Sequence, residues 1–108
     1  MKWLLVLFGL AACPGPGEGA KAELGYRECA PVLDALGRHF ARTGQYPAAL
    51  DELVNPDDAL TAVPEPNGNP LRYSSTNTDF ELVFTYTGPG VNHCSTSRAR
   101  TWSCSGYY

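Results

Sequence analysis

The chain has 108 residues, with 8 Lys and Arg against 11 Asp and Glu for a net charge of −3. That acidic balance disfavours a surface built to bind nucleic acid, because a phosphate backbone selects Lys and Arg. The length holds one small domain, which buries a modest share of its surface, so cross-links among its 4 Cys would help to hold it.

Lys2 is followed by an apolar run from Trp3 to Ala12. At about ten residues the run fits the roughly 7–15 of a signal-peptide h-region and falls short of the roughly 20 that a membrane-spanning helix needs. It ends in Leu10-Ala11-Ala12-Cys13, which resembles a bacterial lipobox at every position. The resemblance implies a lipoprotein signal peptide over residues 1–12 and acyl chains, palmitate among them, on Cys13. Two or more chains hold a protein stably at a bilayer. The first expected partner is therefore the membrane, through the lipid anchor at the periplasmic face of the cell envelope. Pro14 stands where an inner-membrane retention Asp would stand, which favours the outer membrane over the inner. The other readings of the run are a cut by ordinary signal peptidase or a short buried helix.

Residues 13–21 read as the acylated Cys and a flexible tether. Pro14-Gly15-Pro16-Gly17-Glu18-Gly19-Ala20 offers no apolar side chain large enough to pack, and at ~3.3 Å per residue it would lift the domain about 20 Å from the bilayer. A structured cluster of turns is the alternative. The domain proper spans residues 22–108.

From Tyr26, the spacing of Tyr26, Cys29, Leu33, Leu36 and Phe40 predicts a helix with one apolar face. Pro31 either kinks it or stands in the first turn of its regular part, and Gly44 sits where a left-handed cap is wanted. A second, short helix is predicted from Pro47, with Leu50, Leu53 and Val54 at helical spacing and Asn55-Pro56 as its end. Asp57 to Pro70, rich in Pro, Asn and Gly, reads as loop. Strands are predicted over Leu71 to Ser75, over Asp79 to Thr87 with Phe80, Leu82, Phe84 and Tyr86 on one face, and over Arg100 to Tyr107. A helix followed by consecutive strands predicts an α+β fold, the N-terminal helix packed on a small antiparallel sheet.

Ala35 to Val54 (A-L-G-R-H-F-A-R-T-G-Q-Y-P-A-A-L-D-E-L-V) resembles the first part of the globular domain of type II secretion major pseudopilins. Gly68-Asn69-Pro70-Leu71-Arg72-Tyr73 resembles that family's Trp-Gly-Asn-Pro-Tyr-x-Tyr turn into its first strand, with Asn67 in place of Trp and Leu71 in place of the first Tyr. Phe80-Glu81-Leu82 and then Gly88-Pro89-Gly90 continue in the family's order, so the likeness covers residues 33–90. It implies a pilin-like fold. Two departures stand beside it. A lipobox and tether occupy the place of the polymerising helix, which argues against assembly into a shaft. Val91-Asn92-His93 after the glycine turn supplies no carboxylate, so the family's calcium site is not carried over.

With Cys13 acylated, Cys29, Cys94 and Cys104 allow three pairings. Cys94–Cys104 is preferred, since it closes a short loop and pins the last strand, while Cys29, on the apolar helix face, reads as a core thiol or as a partner for a sheet cysteine. His93-Cys94 with Cys104 matches no metal-ligand spacing, so no metal or cofactor is expected. His39 reads as a flank residue rather than a base, no Ser or Cys stands in a nucleophile motif, and Asp57-Asp58 read as hydrated surface. Trp102, Tyr107, Tyr108 and Tyr73 could form an aromatic platform, with Tyr107 and Tyr108 as its exposed binding pair. The expected function is a non-enzymatic envelope lipoprotein whose pseudopilin-like domain binds another envelope protein, within a secretion or pilus-type system. A small-ligand or carbohydrate-binding module using the C-terminal aromatics is the alternative.

Overall fold

The computed structural model describes residues 15–88 and 90–107, with Tyr107 through its backbone alone. Glycines bracket its long helix, α1 (Ala20–Thr43). Gly17 and Gly19 take φ of 85° and 94°, a region that residues with a Cβ rarely enter, and so keep the chain from continuing as helix towards its start. At the other end Gly44 takes φ of 82° and its N–H donates to Phe40 O at 2.8 Å, the left-handed cap expected there. The helix continues through Pro31, beginning eleven residues earlier than a start at Pro31 would place it. Pro31 is exposed, so the carbonyl that loses its donor four residues back lies on the water side.

The predicted stripe faces inward at Cys29, Leu33 and Leu36, and Ala22, Gly25, Val32 and Ala35 widen it. Burying each of Val32, Leu33 and Leu36 stabilises the fold by about 1.5–3 kcal/mol. Gly25 sets how near the helix lies, for a methyl group there would overlap the Phe84 ring. Beyond α1, the second helix is a single 3-10 turn, Leu50–Leu53, which buries both leucines and leaves Val54 exposed. The loop that follows contains one more 3-10 turn, Pro66–Gly68.

The sheet has four antiparallel strands in sequence order: β1 (Arg72–Ser75), β2 (Phe80–Thr87), β3 (Val91–Thr96) and β4 (Ser103–Tyr107). The fold is therefore α+β, as expected, but with one strand more than the apolar pattern predicts. β3 turns Asn92, Cys94 and Thr96 towards the core, and these polar or small side chains give no apolar alternation to read. Its neighbours on both sides make it a strand. β4 begins at Ser103 rather than Arg100, because Arg100 takes φ of 61° in the turn before it. Phe80, Leu82, Phe84 and Tyr86 all face the helix, as the alternation requires. Register places Phe84, Cys94 and Cys104 in one row across the sheet, and Tyr86, Asn92 and Gly106 in the next.

Candidate functional site

Cys13 lies outside the described residues, so its surroundings are read from the segment just after it. Gly17 is held from both sides: its N–H donates to Tyr86 Oη at 2.9 Å and its carbonyl accepts from Tyr26 Oη at 2.8 Å. Tyr26 Oη also stands 3.3 Å from Cys104 Sγ. There is no room for a side chain, since a Cβ on Gly17 would lie 2.9 Å from both Cys104 Sγ and Tyr26 Oη. Burial, with the nearby Tyr86, Glu23 and Glu18, raises the Tyr26 phenol above its ordinary value, which keeps it a donor. Lys21 donates to Thr87 O and Asn67 Nδ2 to Lys21 O, tying the first helical turn to the end of β2 and to the Pro66–Gly68 turn. Within the stretch read as tether, then, Ala20 and Lys21 belong to α1 and Gly17 is fastened. A Gly-Pro segment lacks apolar side chains, but its backbone groups suffice to bond two tyrosines.

The predicted disulfide, Cys94–Cys104, is present, joining residues directly opposite in β3 and β4 with Cα atoms 4.1 Å apart. Cys29 is a buried free thiol, as the core reading expected. Burial, and secondarily the Glu28 charge, pushes its pKa up to about 12, so it stays protonated and unreactive. Of the residues considered for an aromatic platform, Trp102 and Tyr73 do not come together. Trp102 packs on Tyr26 and Phe84, with centroids 5.4 and 5.2 Å away. Tyr73 sits at the other edge of the sheet, beside Phe80, and gives its hydroxyl to Pro47 O. Tyr107 joins β4 opposite Val91 through its backbone, while its side chain and all of Tyr108 lie outside the described residues.

At the far end of α1 the structure corrects the reading of Asp58 as hydrated surface, because its side chain is 0% exposed. Arg42 donates to both carboxylate oxygens at 2.9 and 2.8 Å, His39 Nδ1 lies 2.9 Å from Oδ2, and Asn55 Nδ2 donates to the same oxygen at 2.9 Å. Its own N–H donates to Asn55 Oδ1, and its carbonyl accepts from Arg38 Nε. Burial alone would raise this carboxyl. The hydrogen bonds from Asn55, His39 and Arg42, with the Arg42 charge, outweigh burial and bring it down to about 2. Arg38 and His39 stand one turn before Arg42 on α1, a spacing that brings both within reach of the same neighbours as Arg42. Sequence reasoning missed the cluster because its acid comes from a loop sixteen residues beyond Arg42.

Beside this cluster, a groove runs between β1 and the Tyr46–Asp51 segment. It comprises two adjoining depressions of about 370 and 440 Å³ that share Ala48. One is largely apolar, walled by Leu50, Val63, Leu71 and Tyr73. The other is polar, reaching His39, Glu52, Ser75 and Asn77. The hydroxyls nearest His39 are committed to backbone: Thr43 donates to His39 O and Gln45 O, and Ser75 to Pro47 O. His39 is thus oriented by an acid but pairs with no hydroxyl nucleophile among the described residues. His93 lies on the sheet face away from α1, opposite Thr85 and Ser105. Among the described residues no group of three or more His, Cys, Asp or Glu is placed to hold a metal ion, and no helix is long and apolar enough to cross a membrane. No protein-family model, curated protein or solved structure matches the chain.

Proposed function

We propose that this protein is an envelope lipoprotein, anchored through acylated Cys13, whose pilin-like domain presents a binding surface to another envelope protein of a secretion or pilus-type system and does not polymerise. The observation that carries the reading is the fastening of Gly17. Gly17 stands four positions after Cys13, a reach of about 13 Å at most. The domain is therefore held near the bilayer by its α1 start, while α1, 24 residues and about 36 Å long, carries the Asp58 cluster and the groove outward. Gly17 and Gly19 also interrupt the helix where a polymerising pilin-type helix would have to continue. The rival platform for sugars has lost Trp102 and Tyr73 to packing, and no catalytic step is assigned.

Cys13→Ser tests the anchor. The variant should move from the membrane pellet to the soluble fraction, and its persistence in the pellet would overturn lipidation. Affinity capture of the intact protein from its own envelope tests the rest. Recovery of secretion-machine or pilus-type proteins supports the reading, and recovery of none overturns the partner half of it.

A further inference from the structure

The strand order leaves β1 at an edge, with no strand on its outer side among the described residues. Tyr73 and Ser75, its two side chains turned towards α1, donate to the same carbonyl, Pro47 O, at 2.7 and 2.8 Å. Those two bonds hold the Tyr46–Asp51 segment beside the strand as a wall, and the groove lies between wall and strand. An exposed strand edge pairs with another extended chain through backbone N–H and C=O groups, and pockets at alternate positions then read its side chains. The apolar depression under Leu71 and Tyr73 supplies such a pocket.

Charge narrows the occupant. Asp51 lines one depression and Glu52 the other, and neither depression is lined by Lys or Arg. Among the described residues Asp51 makes no ion pair, and the Glu52 carboxylate accepts from the Ala49 N–H at 3.2 Å. A basic segment meets complementary charge there, whereas an acidic one is repelled. A second copy of this chain fits less well: the one cation on its β1 edge is Arg72, which points to the opposite face of the sheet, towards Thr85 and His93. β1 itself, Arg72–Ser75, extends about 13 Å, enough to pair with about four residues, and beyond it Asn77 O already accepts from the Tyr46 N–H at 3.4 Å.

We infer that the groove beside β1 takes an extended, basic peptide segment of a partner protein, apolar at alternate residues, which adds to the sheet along the free edge of β1. This inference rests on reading the domain as an interaction module, and it is tested independently of the anchor. The probe is an acetylated heptapeptide alternating valine and lysine, titrated into the intact protein in detergent micelles, with fluorescence anisotropy for affinity and amide chemical shifts for location. Binding should shift amides of residues 72–75 and 46–51 and leave those of β4, the other edge, unmoved. Replacing lysine by glutamate in the peptide should weaken binding at least about tenfold at low salt, and N-methylating alternate amides should abolish it. On the protein side, Asp51→Asn combined with Glu52→Gln should weaken it about fivefold. If that variant unfolds, the two peptide controls decide on the unaltered protein. No binding, equal shifts at β4, or equal binding of the glutamate or N-methylated peptide overturns the inference, as does a dimer formed through β1 that excludes the peptide. Membrane release of Cys13→Ser would still stand in each of those cases, so failure here is distinguishable from failure of the anchoring reading.

Discussion

The two ends of α1 are held by opposite chemistry. At the start, neutral phenols grip the backbone of a glycine beside a covalent cross-link. At the finish, a carboxylate with no exposed surface is bonded by Arg42, His39 and Asn55. The two bonds of the first arrangement join uncharged groups, and the cross-link beside them answers to reductant. The second answers to acid and to the loss of a single charge. The far end thereby orders the loop around Asp58, which belongs to no strand or helix.

Five measurements would break or sharpen that contrast. Asp58→Ala should have the largest effect, about 2–4 kcal/mol lost by urea denaturation, because it strands Arg42 and His39 without their acid. Amide exchange should show the loop around Asn55 and Leu60 opening while the Gly17 bonds stay protected. Removing the disulfide by Cys94→Ala with Cys104→Ala should cost about 3 kcal/mol on the chain-entropy estimate for a short loop. Here the pattern should invert, with protease cutting near Gly17 and the Asp58 cluster intact. Gly17→Ala should cost about 1–2 kcal/mol, since its φ of 85° and the nearness of Cys104 Sγ both oppose a Cβ. Tyr26→Phe, which removes one hydrogen bond and leaves the ring packed, should cost about 1 kcal/mol.

Acid gives the fifth test, with a definite sign. The folded carboxyl of Asp58 lies at about 2 against an ordinary 3.8, so its stabilisation is fully present above the unfolded value and is lost as pH falls through about 2. A pH titration of urea midpoints should therefore fall more steeply below pH 4 in the parent than in Asp58→Ala. Parallel curves would mean that the cluster contributes no linked stability.

Much of this architecture follows from local pattern. The stripe through Cys29, Leu33 and Leu36, the cap at Gly44 and the alternation from Phe80 to Tyr86 each depend on neighbours within a turn or two, and each appears where the spacing requires. What local pattern could not reveal depends on partners far along the chain. β3 exists because β2 and β4 flank it, and its inward Asn92 is matched to Gly106, where any Cβ would collide. Pro31, a breaker by propensity, is tolerated because its face of the helix meets water. Asp58, beside another acid in a Pro- and Asn-rich loop, has the composition of solvated surface, and only docking on Arg42 makes it a buried ion.

The sequence by itself determined that a helix precedes the strands, the apolar faces that join α1 to β2, the pairing preferred for Cys94 with Cys104 and, through Leu10 to Cys13, the expectation of an anchor. Periodicity and short motifs carry that information because they act over a few residues. Tertiary structure alone decided that Gly17 is gripped rather than free, that Asp58 is buried, and that a groove opens beside β1. Each of these needs backbone or side-chain groups brought together from distant parts of the chain, where hydrogen-bond distance and exclusion of water, rather than residue type, set the outcome.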